Sequence, residues 1–376
     1  MNNAQRNVFL ISFSFFFIFF GFGTAQQYLV ILFAEQGRGN LALTSLFILY
    51  GAFLATGIVA AKIIPLFGGL KKSLLIGGLT YAIFTASVAI NSAMLLYIAS
   101  ILIGIGAGLL WVSSGQIIRD SSNERTVGRN FAYQTVGMYG GNILGINIGS
   151  YLVQVFSVER VYLVLTASIL LGLIFILWVR PVKGEIKPSP FKPYYMFNKK
   201  MLMLLPLVFG AYFLQAQVFT AVNFIIVSLL GVSSIALMIT IIKISNIVGG
   251  FSSGKISGWY DKSNLLILLI LMALLGVTLL IGTRTLIPVI FSAILLGFSM
   301  AAIYPVCLAW LNETIPAENY IYALGVFHVY SNLGMLSAIL ANLKFNSGVS
   351  FVPGIAALAL AFPGIVMFRK ATKKLI

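Results

Sequence analysis

The stretch RPVKGEIKPSPFKPYYMFNKK, residues 180–200, divides the chain into two apolar halves. It holds four prolines and six Lys/Arg side chains, a composition typical of a tether rather than of a packed element. A membrane-spanning helix needs about 20 apolar residues, and six segments on each side of the stretch reach that length. They lie near 8–33, 41–64, 73–90, 93–118, 129–154, 160–179, and then 201–229, 234–253, 264–283, 285–311, 320–343 and 351–368. The pattern predicts twelve transmembrane helices, with domains 1–179 and 201–376 joined by a 180–200 linker.

The composition agrees with a chain that lies almost wholly in a membrane. Of 376 residues, 60% are hydrophobic and 9% are charged, whereas soluble domains are about half apolar and about a quarter charged. The mean hydropathy is +1.03. These values exclude a disordered chain, and the single cysteine excludes a disulfide scaffold. We expect an all-α integral membrane protein.

The Lys and Arg residues fall mostly on one side of the predicted membrane. Nineteen of the 24 lie in the N-terminus, the loops after spans 2, 4, 6 and 8, and the C-terminal tail. The positive-inside rule then places both termini and the linker in the cytoplasm, as expected of a multi-pass protein of the cell membrane. This asymmetry accounts for the net charge of +16 without nucleic acid, since a basic face can meet anionic headgroups of the lipid bilayer.

Several residues recur at nearly one distance in the two halves. Phe20, Gly21 and Gln26 recur as Phe209, Gly210 and Gln215, at an offset of 189. The other recurrences are Asn130, Phe131, Tyr133 and Gly145 with Asn319, Tyr320, Tyr322 and Gly334 at 189; Gly68, Lys72 and Ser73 with Gly258, Lys262 and Ser263 at 190; and Gly104 and Trp111 with Gly297 and Tyr304 at 193. Because these offsets are close to half the chain length, they predict two pseudo-symmetric six-helix bundles. Such parallel repeats are typical of major facilitator transporters.

The polar residues inside the spans follow the same plan. Spans 3, 6, 9 and 12 have no Asn, Gln, Lys or His in their interiors, whereas spans 1, 4, 5, 7, 8 and 11 do. A side-chain amide that faces lipid has no hydrogen-bond partner, so amides turn towards neighbouring helices. Spans 3, 6, 9 and 12 are therefore predicted to be peripheral.

Over its whole length the chain resembles the major facilitator superfamily. The stretch Gly104-Ile-Gly-Ala-Gly-Leu-Leu-Trp111, with Gly115, Asn130 and Gly141-Asn142 after it, is similar to the "uncoordinated" branch, also called the ion channel regulatory protein family. The resemblance implies the major facilitator fold and alternating access between its bundles. Two features depart from the superfamily: the loop Phe67-Gly-Gly-Leu-Lys-Lys72 lacks the usual acid, and span 5 lacks the proline of the antiporter signature.

The acidic residues exclude several kinds of chemistry. All eight Asp and Glu lie in loops or at the ends of spans. Proton relays in transporters usually run through buried Asp, Glu or His, so their positions disfavour a carboxylate-driven proton symporter. They also disfavour an aspartyl membrane protease and a metal enzyme with clustered carboxylates. The sequence has no GxxxxGK[ST] loop for ATP. We expect no enzyme activity, no metal site and no cofactor.

Lys243 is the charged residue placed most deeply in an apolar segment. It lies nine residues into span 8, about 14 Å along the helix at 1.5 Å per residue, close to the membrane midplane. A lysine at that depth costs about 2.5–3.5 kcal/mol on insertion scales. One interpretation is a cation that attracts an anionic substrate group, with Asn246 on the same face. The alternative is a structural lysine held by carbonyls or amides of neighbouring helices.

The remaining candidate residues are polar or aromatic side chains of spans 1, 4, 5, 7, 10 and 11. His328 and Asn332 are four residues apart on one face of span 11, and His328 occupies the repeat position of Tyr139. Gln26 and Gln215 occupy equivalent positions, where such repeats place a binding site; interhelical hydrogen bonds are the alternative role. The predicted substrate-binding residues are Gln26, Asn142, Gln215, Lys243, Asn246, His328 and Asn332. The predicted cavity wall or gate is Trp111, Tyr139, Tyr212 and Tyr304, for which aromatic packing is the alternative.

These observations predict a secondary transporter that moves a small solute by alternating access, with an anion as the simplest ligand for Lys243. Its predicted partners are the small-molecule substrate and the lipid bilayer, with no nucleic acid, and we expect a monomer. The alternative is a non-transporting membrane regulator or trafficking partner of other membrane proteins, as the "uncoordinated" branch implies.

Overall fold

A computed structural model describes residues 2–35, 37–180, 195, 197–219, 234–282, 285–344 and 351–373. Within these ranges the chain forms twelve α-helices, as the sequence predicts. The first six are α1 (Asn3–Glu35), α2 (Gly39–Leu66), α3 (Leu70–Ile90), α4 (Ala93–Asp120), α5 (Val127–Val155) and α6 (Val158–Leu177). The others are α7 (Lys199–Phe219), α8 (Ser234–Ile256), α9 (Lys262–Gly282), α10 (Leu286–Thr314), α11 (Tyr320–Lys344) and α12 (Val352–Lys373). Positions 181–194 of the predicted linker and 220–229 of predicted span 7 lie outside the described residues.

Ten helices in the described part of the chain are long and apolar enough to cross a membrane. α5 is not among the ten, because its glycines and its amides, among them Gln134, Asn142 and Asn147, lower its hydropathy. The described apolar stretch of α12, Val352–Val366, is shorter than the other candidates. α5 shows why hydropathy underestimates a helix that is packed among others, since contact between helices favours small and polar residues over large apolar ones.

The helices group into two compact units, Met1–Asn123 with Tyr133–Pro193, and Glu124–Ala132 with Tyr194–Ile376. In the first unit α1 packs on α6, α3 packs on α4 and α6, and α2 packs on α4. In the second, α7 packs on α11 and α12, α8 packs on α10, and α9 packs on α10 and α12. The domain boundaries at 1–179, 180–200 and 201–376 stay a prediction.

Glycines let α5 approach α1 closely in the first unit. A methyl group on Gly141 would lie 2.0 Å from the carbonyl oxygen of Phe16, and one on Gly145 would lie 2.3 Å from that of Phe20. Both distances are far below van der Waals contact, so these positions have no room for a side chain. The α1–α5 pair is therefore held by backbone-to-backbone packing, as small residues allow in membrane helices.

The repeat read from the sequence returns as pairs of equivalent contacts inside the two units. A methyl group on Gly145 would meet Phe20 O, and one on Gly334 would meet Phe209 O, with both residues shifted by 189. A second pair of contacts also differs by 189: Gly21 faces Leu165 and Ile169, and Gly210 faces Gly354 and Leu358. A third pair differs by 193: Gly104 faces Leu49 and Ala52, and Gly297 faces Ile242 and Ser245. The two units thus share these three glycine positions and the helix contacts that they allow.

Candidate functional site

The second unit buries a lysine on α8. This helix packs on α10 through the side that carries Ile242 and Ser245, since a methyl group on Gly297 would lie 2.5 Å from Ile242 O. Lys243 and Asn246 lie on the adjacent side of α8 and are only 3% and 4% exposed. They are three residues apart, so their side chains project from one face of the helix. A cation and an amide are therefore buried next to each other in a helix that is otherwise mostly apolar.

The amide oxygen of Asn246 is the strongest mark of an incomplete site. It is buried, and it accepts no hydrogen bond within the described part of the chain. Buried polar atoms of folded proteins nearly always have a partner, and leaving one unsatisfied costs about 1–3 kcal/mol. A ligand that donates a hydrogen bond to this oxygen would remove that cost.

A ring cluster lies on α7, α10 and α11 of the same unit, centred on the fully buried Phe327. The Phe327 ring centroid is 6.0 Å from that of Tyr212 and 5.8 Å from that of Tyr304. The imidazole of His328 is 5.5 Å from the same ring, nearly perpendicular to it. The structure thus brings together three predicted residues, Tyr212, Tyr304 and His328, around one aromatic side chain that sequence reasoning had not selected.

Asn332 is buried one turn beyond His328, at 2% exposure. Its Nδ2 donates a hydrogen bond of 2.6 Å to the carbonyl oxygen of His328. The predicted shared face of these two residues is therefore present. One of the amide donors of Asn332 is used inside its own helix.

In the first unit the predicted residues are joined by hydrogen bonds between helices. Gln26 Nε2 on α1 donates to the hydroxyl oxygen of Tyr50 on α2 at 2.8 Å. Trp111 Nε1 on α4 donates to the hydroxyl oxygen of Tyr81 on α3 at 3.3 Å. Tyr50 and Tyr81 were not selected from the sequence, since a tyrosine in a span is usually read as packing. The interhelical role considered for Gln26 is thus present.

Trp111, Asn142 and Tyr139 are packed within the first unit. The indole of Trp111 meets the Phe15 ring edge-on, with centroids 5.0 Å apart. Asn142 lies against Gly23 of α1, where a methyl group would collide with its Oδ1. That oxygen is buried and accepts no hydrogen bond from a described residue. Tyr139 is 3% exposed.

The repeat relates Gln26 and Tyr50 of the first unit to Gln215 and Lys243 of the second. Gln26 and Gln215 correspond at 189, and the contacts of Gly104 and Gly297 set the α2–α8 correspondence at 193. Under that correspondence the position of Tyr50 in α2 is occupied by Lys243 in α8. The first unit therefore has a neutral hydroxyl bonded to a glutamine where the second unit has an ammonium group.

A sequence model described as the Major Facilitator Superfamily matches residues 7–339 of the chain. The chain belongs to the major facilitator superfamily. The fold class inferred from the sequence, two pseudo-symmetric six-helix bundles of the major facilitator fold, is confirmed by this match.

Among curated proteins of the superfamily, the chain is similar to UNC93-like protein MFSD11 of Xenopus laevis, with 28% identity over 184 residues, which are 46% of this chain and 41% of that protein. It is also similar to protein unc-93 homolog A of Bos taurus, with 26% identity over 46% of this chain and 35% of that protein. The aligned parts thus cover about two fifths of the length of these relatives. The predicted resemblance to the "uncoordinated" branch is confirmed.

Solved structures of the superfamily share the fold at low identity. The human organic anion transporter MFSD10 aligns with a TM-score of 0.80 at 14% identity, over 97% of this chain and 100% of that one. The transporter FucP in its outward conformation aligns with a TM-score of 0.71 at 13% identity, over 97% of this chain and 99% of that one. At such identities the likeness shows the fold alone.

The predicted site residues are divided between the two compact units of the chain. Gln26, Trp111, Tyr139 and Asn142 lie in the first unit, and the other seven lie in the second. Among the described residues, no three of His, Cys, Asp and Glu come close enough to hold a metal ion. Tyr50 and Phe327 were missed from the sequence. For Tyr50, the available signal was its offset of 193 from Lys243.

Proposed function

We propose that the protein is a secondary transporter that moves a small anionic solute by alternating access. The observation that carries the proposal is the pair on α8, a lysine and an asparagine that are 3% and 4% exposed. The fold is that of known secondary transporters, which supports the general class. The second unit supplies the predicted binding residues Gln215, Lys243, Asn246, His328 and Asn332.

The two α8 groups suit a solute with two different ends. The ammonium group of Lys243 attracts a carboxylate or similar anion, and in a low-dielectric interior that attraction is strong. The amide oxygen of Asn246 accepts no hydrogen bond from a described residue, so it is suited to accept one from a hydroxyl or amino group on the same solute. A small acid that also carries a hydrogen-bond donor satisfies both groups.

A second candidate function is a non-transporting regulator or trafficking partner. It is favoured by the similarity to proteins named UNC93-like, because the resemblance to that branch implies a regulator. A regulator has no need of a buried lysine beside an unsatisfied amide oxygen, whereas a transporter has. For this reason we place transport first.

A ligand screen tests the transport proposal. We expect small acids that carry a hydroxyl or amino group to raise the melting temperature of the purified protein, because a ligand at 100 times its Kd stabilises the folded state by about 2.7 kcal/mol. Each acid is compared with its uncharged amide, which keeps the shape and removes the charge, and sugars and organic cations are included. Equal stabilisation by acid and amide, or none by any acid, would overturn the anion proposal.

The proposed location is the cell membrane, with both termini in the cytoplasm. Arg38→Cys and Lys187→Cys, each in a Cys307→Ala background, are expected to react with a membrane-impermeant maleimide from opposite sides of the membrane, because the positive-inside count places loop 1–2 outside and the linker inside. Position 187 lies outside the described residues, so this expectation rests on the sequence. The Cys307→Ala protein without a second change serves as the unlabelled control. Labelling of both cysteines from one side would contradict the twelve-span topology.

A further inference from the structure

A basic cavity lies in the first unit where α1 and α3 begin and α6 ends. Its volume is about 350 Å³. The residues that line it are Arg6, Leu10, Lys71, Leu177, Trp178 and Arg180. Three of the six are cations and none is an acid.

The guanidinium of Arg6 marks this cavity as a site that takes an anion. Its Nε and Nη2 are buried, and neither donates a hydrogen bond to any described residue. A guanidinium presents its N–H groups in a planar fork that matches two oxygens of a phosphate. Buried donors of this kind are costly to leave unused, so the geometry favours an oxyanion beside Arg6.

The walls of the cavity are fixed by hydrogen bonds between helix ends. Asn7 Nδ2 donates to Arg180 O at 2.5 Å, and Arg180 N donates to Asn7 Oδ1 at 3.0 Å. Lys71 Nζ donates to Leu177 O at 2.6 Å. These bonds join the starts of α1 and α3 to the end of α6, so the backbone around the three cations is fixed before any ligand arrives.

An aromatic surface continues from the cavity along α1 and α6. The ring of Phe175 lies 5.9 Å from Trp178, 5.6 Å from Phe13 and 5.5 Å from Phe17. Trp178 is 59% exposed and Phe9 is 48% exposed. Exposed aromatic rings at the end of a spanning helix are typical of the membrane interface, where they contact the upper part of lipid chains.

From this arrangement we propose that the cavity binds the phosphate of an anionic phospholipid, with its acyl chains lying along the aromatic surface of α1 and α6. Arg6, Lys71 and Arg180 supply the charge that selects an anionic over a zwitterionic headgroup. Basic pockets between transmembrane helices suit this role. The aromatic surface favours a lipid over free phosphate, because inorganic phosphate would leave it unused. The site shares no residue with the proposed solute site at Lys243.

Lipid titration of the purified protein tests the proposal. Short-chain phosphatidylglycerol is the anionic probe, phosphatidylcholine of equal chain length is the zwitterionic probe, and inorganic phosphate is the third. We expect phosphatidylglycerol to raise the melting temperature with saturation, phosphatidylcholine to do so only weakly, and phosphate to have no effect below millimolar concentration. Arg6→Gln and Arg180→Gln should each weaken phosphatidylglycerol binding about fivefold, since one cation near an anionic lipid contributes about 1 kcal/mol.

Lys72→Gln is the matched control. Lys72 adjoins Lys71, has an exposed side chain and does not line the cavity. The Lys72→Gln variant loses one positive charge from the same end of the unit as the cavity variants. Because Lys72 does not line the cavity, the variant should keep the parent's affinity for phosphatidylglycerol. Equal weakening by Lys72→Gln would show general surface attraction and overturn the site. Phosphate protecting as well as the lipid at equal concentration would overturn the lipid assignment. Should Arg6→Gln fail to fold, Arg180→Gln decides the question, because the bonds to Asn7 involve only the backbone of Arg180.

Discussion

Gly141→Ala is expected to destabilise the protein by about 3 kcal/mol, at the upper end of the usual cost of overpacking. The added methyl group would lie 2.0 Å from Phe16 O and 3.0 Å from Phe20 N, both backbone atoms of α1. Backbone cannot move aside as a flexible side chain can, so α5 must separate from α1. The change is measured as a lowered melting temperature in detergent together with a lowered yield of monodisperse protein.

Gly140→Ala provides the control from the neighbouring position of the same helix. A methyl group there would lie 3.6 Å from the Phe16 ring, an ordinary van der Waals contact. Because alanine is also about 1 kcal/mol better than glycine in a helix, this variant should match or exceed the parent in stability. Equal melting temperatures for the two variants would contradict the close α1–α5 packing.

Lys243→Gln is expected to weaken binding of the most stabilising anion from the screen by about 1–3 kcal/mol, the cost of leaving a charged partner unpaired. The folded protein should be as stable as the parent or more stable, because the change removes a buried charge while keeping a chain that can hydrogen-bond. Both quantities are measured on one preparation, the affinity by titration and the stability by thermal unfolding.

Lys255→Gln on the last turn of the same helix is the charge-matched control. Lys255 is exposed, so its loss should alter neither quantity by more than about 0.5 kcal/mol. A clear stability loss in Lys243→Gln with unchanged anion affinity would identify a structural lysine held by its neighbours. That result would end the anion proposal and leave the fold untouched.

The number of helices could be predicted from hydropathy, but their ends could not. Predicted spans 8–33 and 41–64 correspond to helices Asn3–Glu35 and Gly39–Leu66. Hydropathy marks the part of a helix that lies in lipid, whereas the backbone continues its hydrogen bonds into polar turns such as residues 3–7. The repeat was a stronger guide, because glycine positions that allow close helix contact cannot shift without breaking that contact.

The candidate site could be predicted where a residue conflicts with its surroundings. Lys243 is conspicuous because a charge interrupts an apolar segment. Tyr50 is not conspicuous, since its ring suits a membrane helix and its hydroxyl matters only through Gln26 on another helix. The basic cavity could not be predicted from the sequence, because Arg6, Lys71 and Arg180 are far apart in the chain and come together only when three helices pack.

The paired glycine contacts have a consequence for the history of the chain. Contacts that recur at offsets of 189 and 193 are what the duplication and fusion of a six-helix segment would produce. The two halves share Gly21/Gly210, Gly104/Gly297 and Gly145/Gly334 but differ at the candidate site positions, where Tyr50 is the counterpart of Lys243 and Tyr139 that of His328. Two halves that fold alike must keep the residues at their helix contacts. Side chains away from those contacts can differ, and such side chains are the ones that can come to bind a ligand.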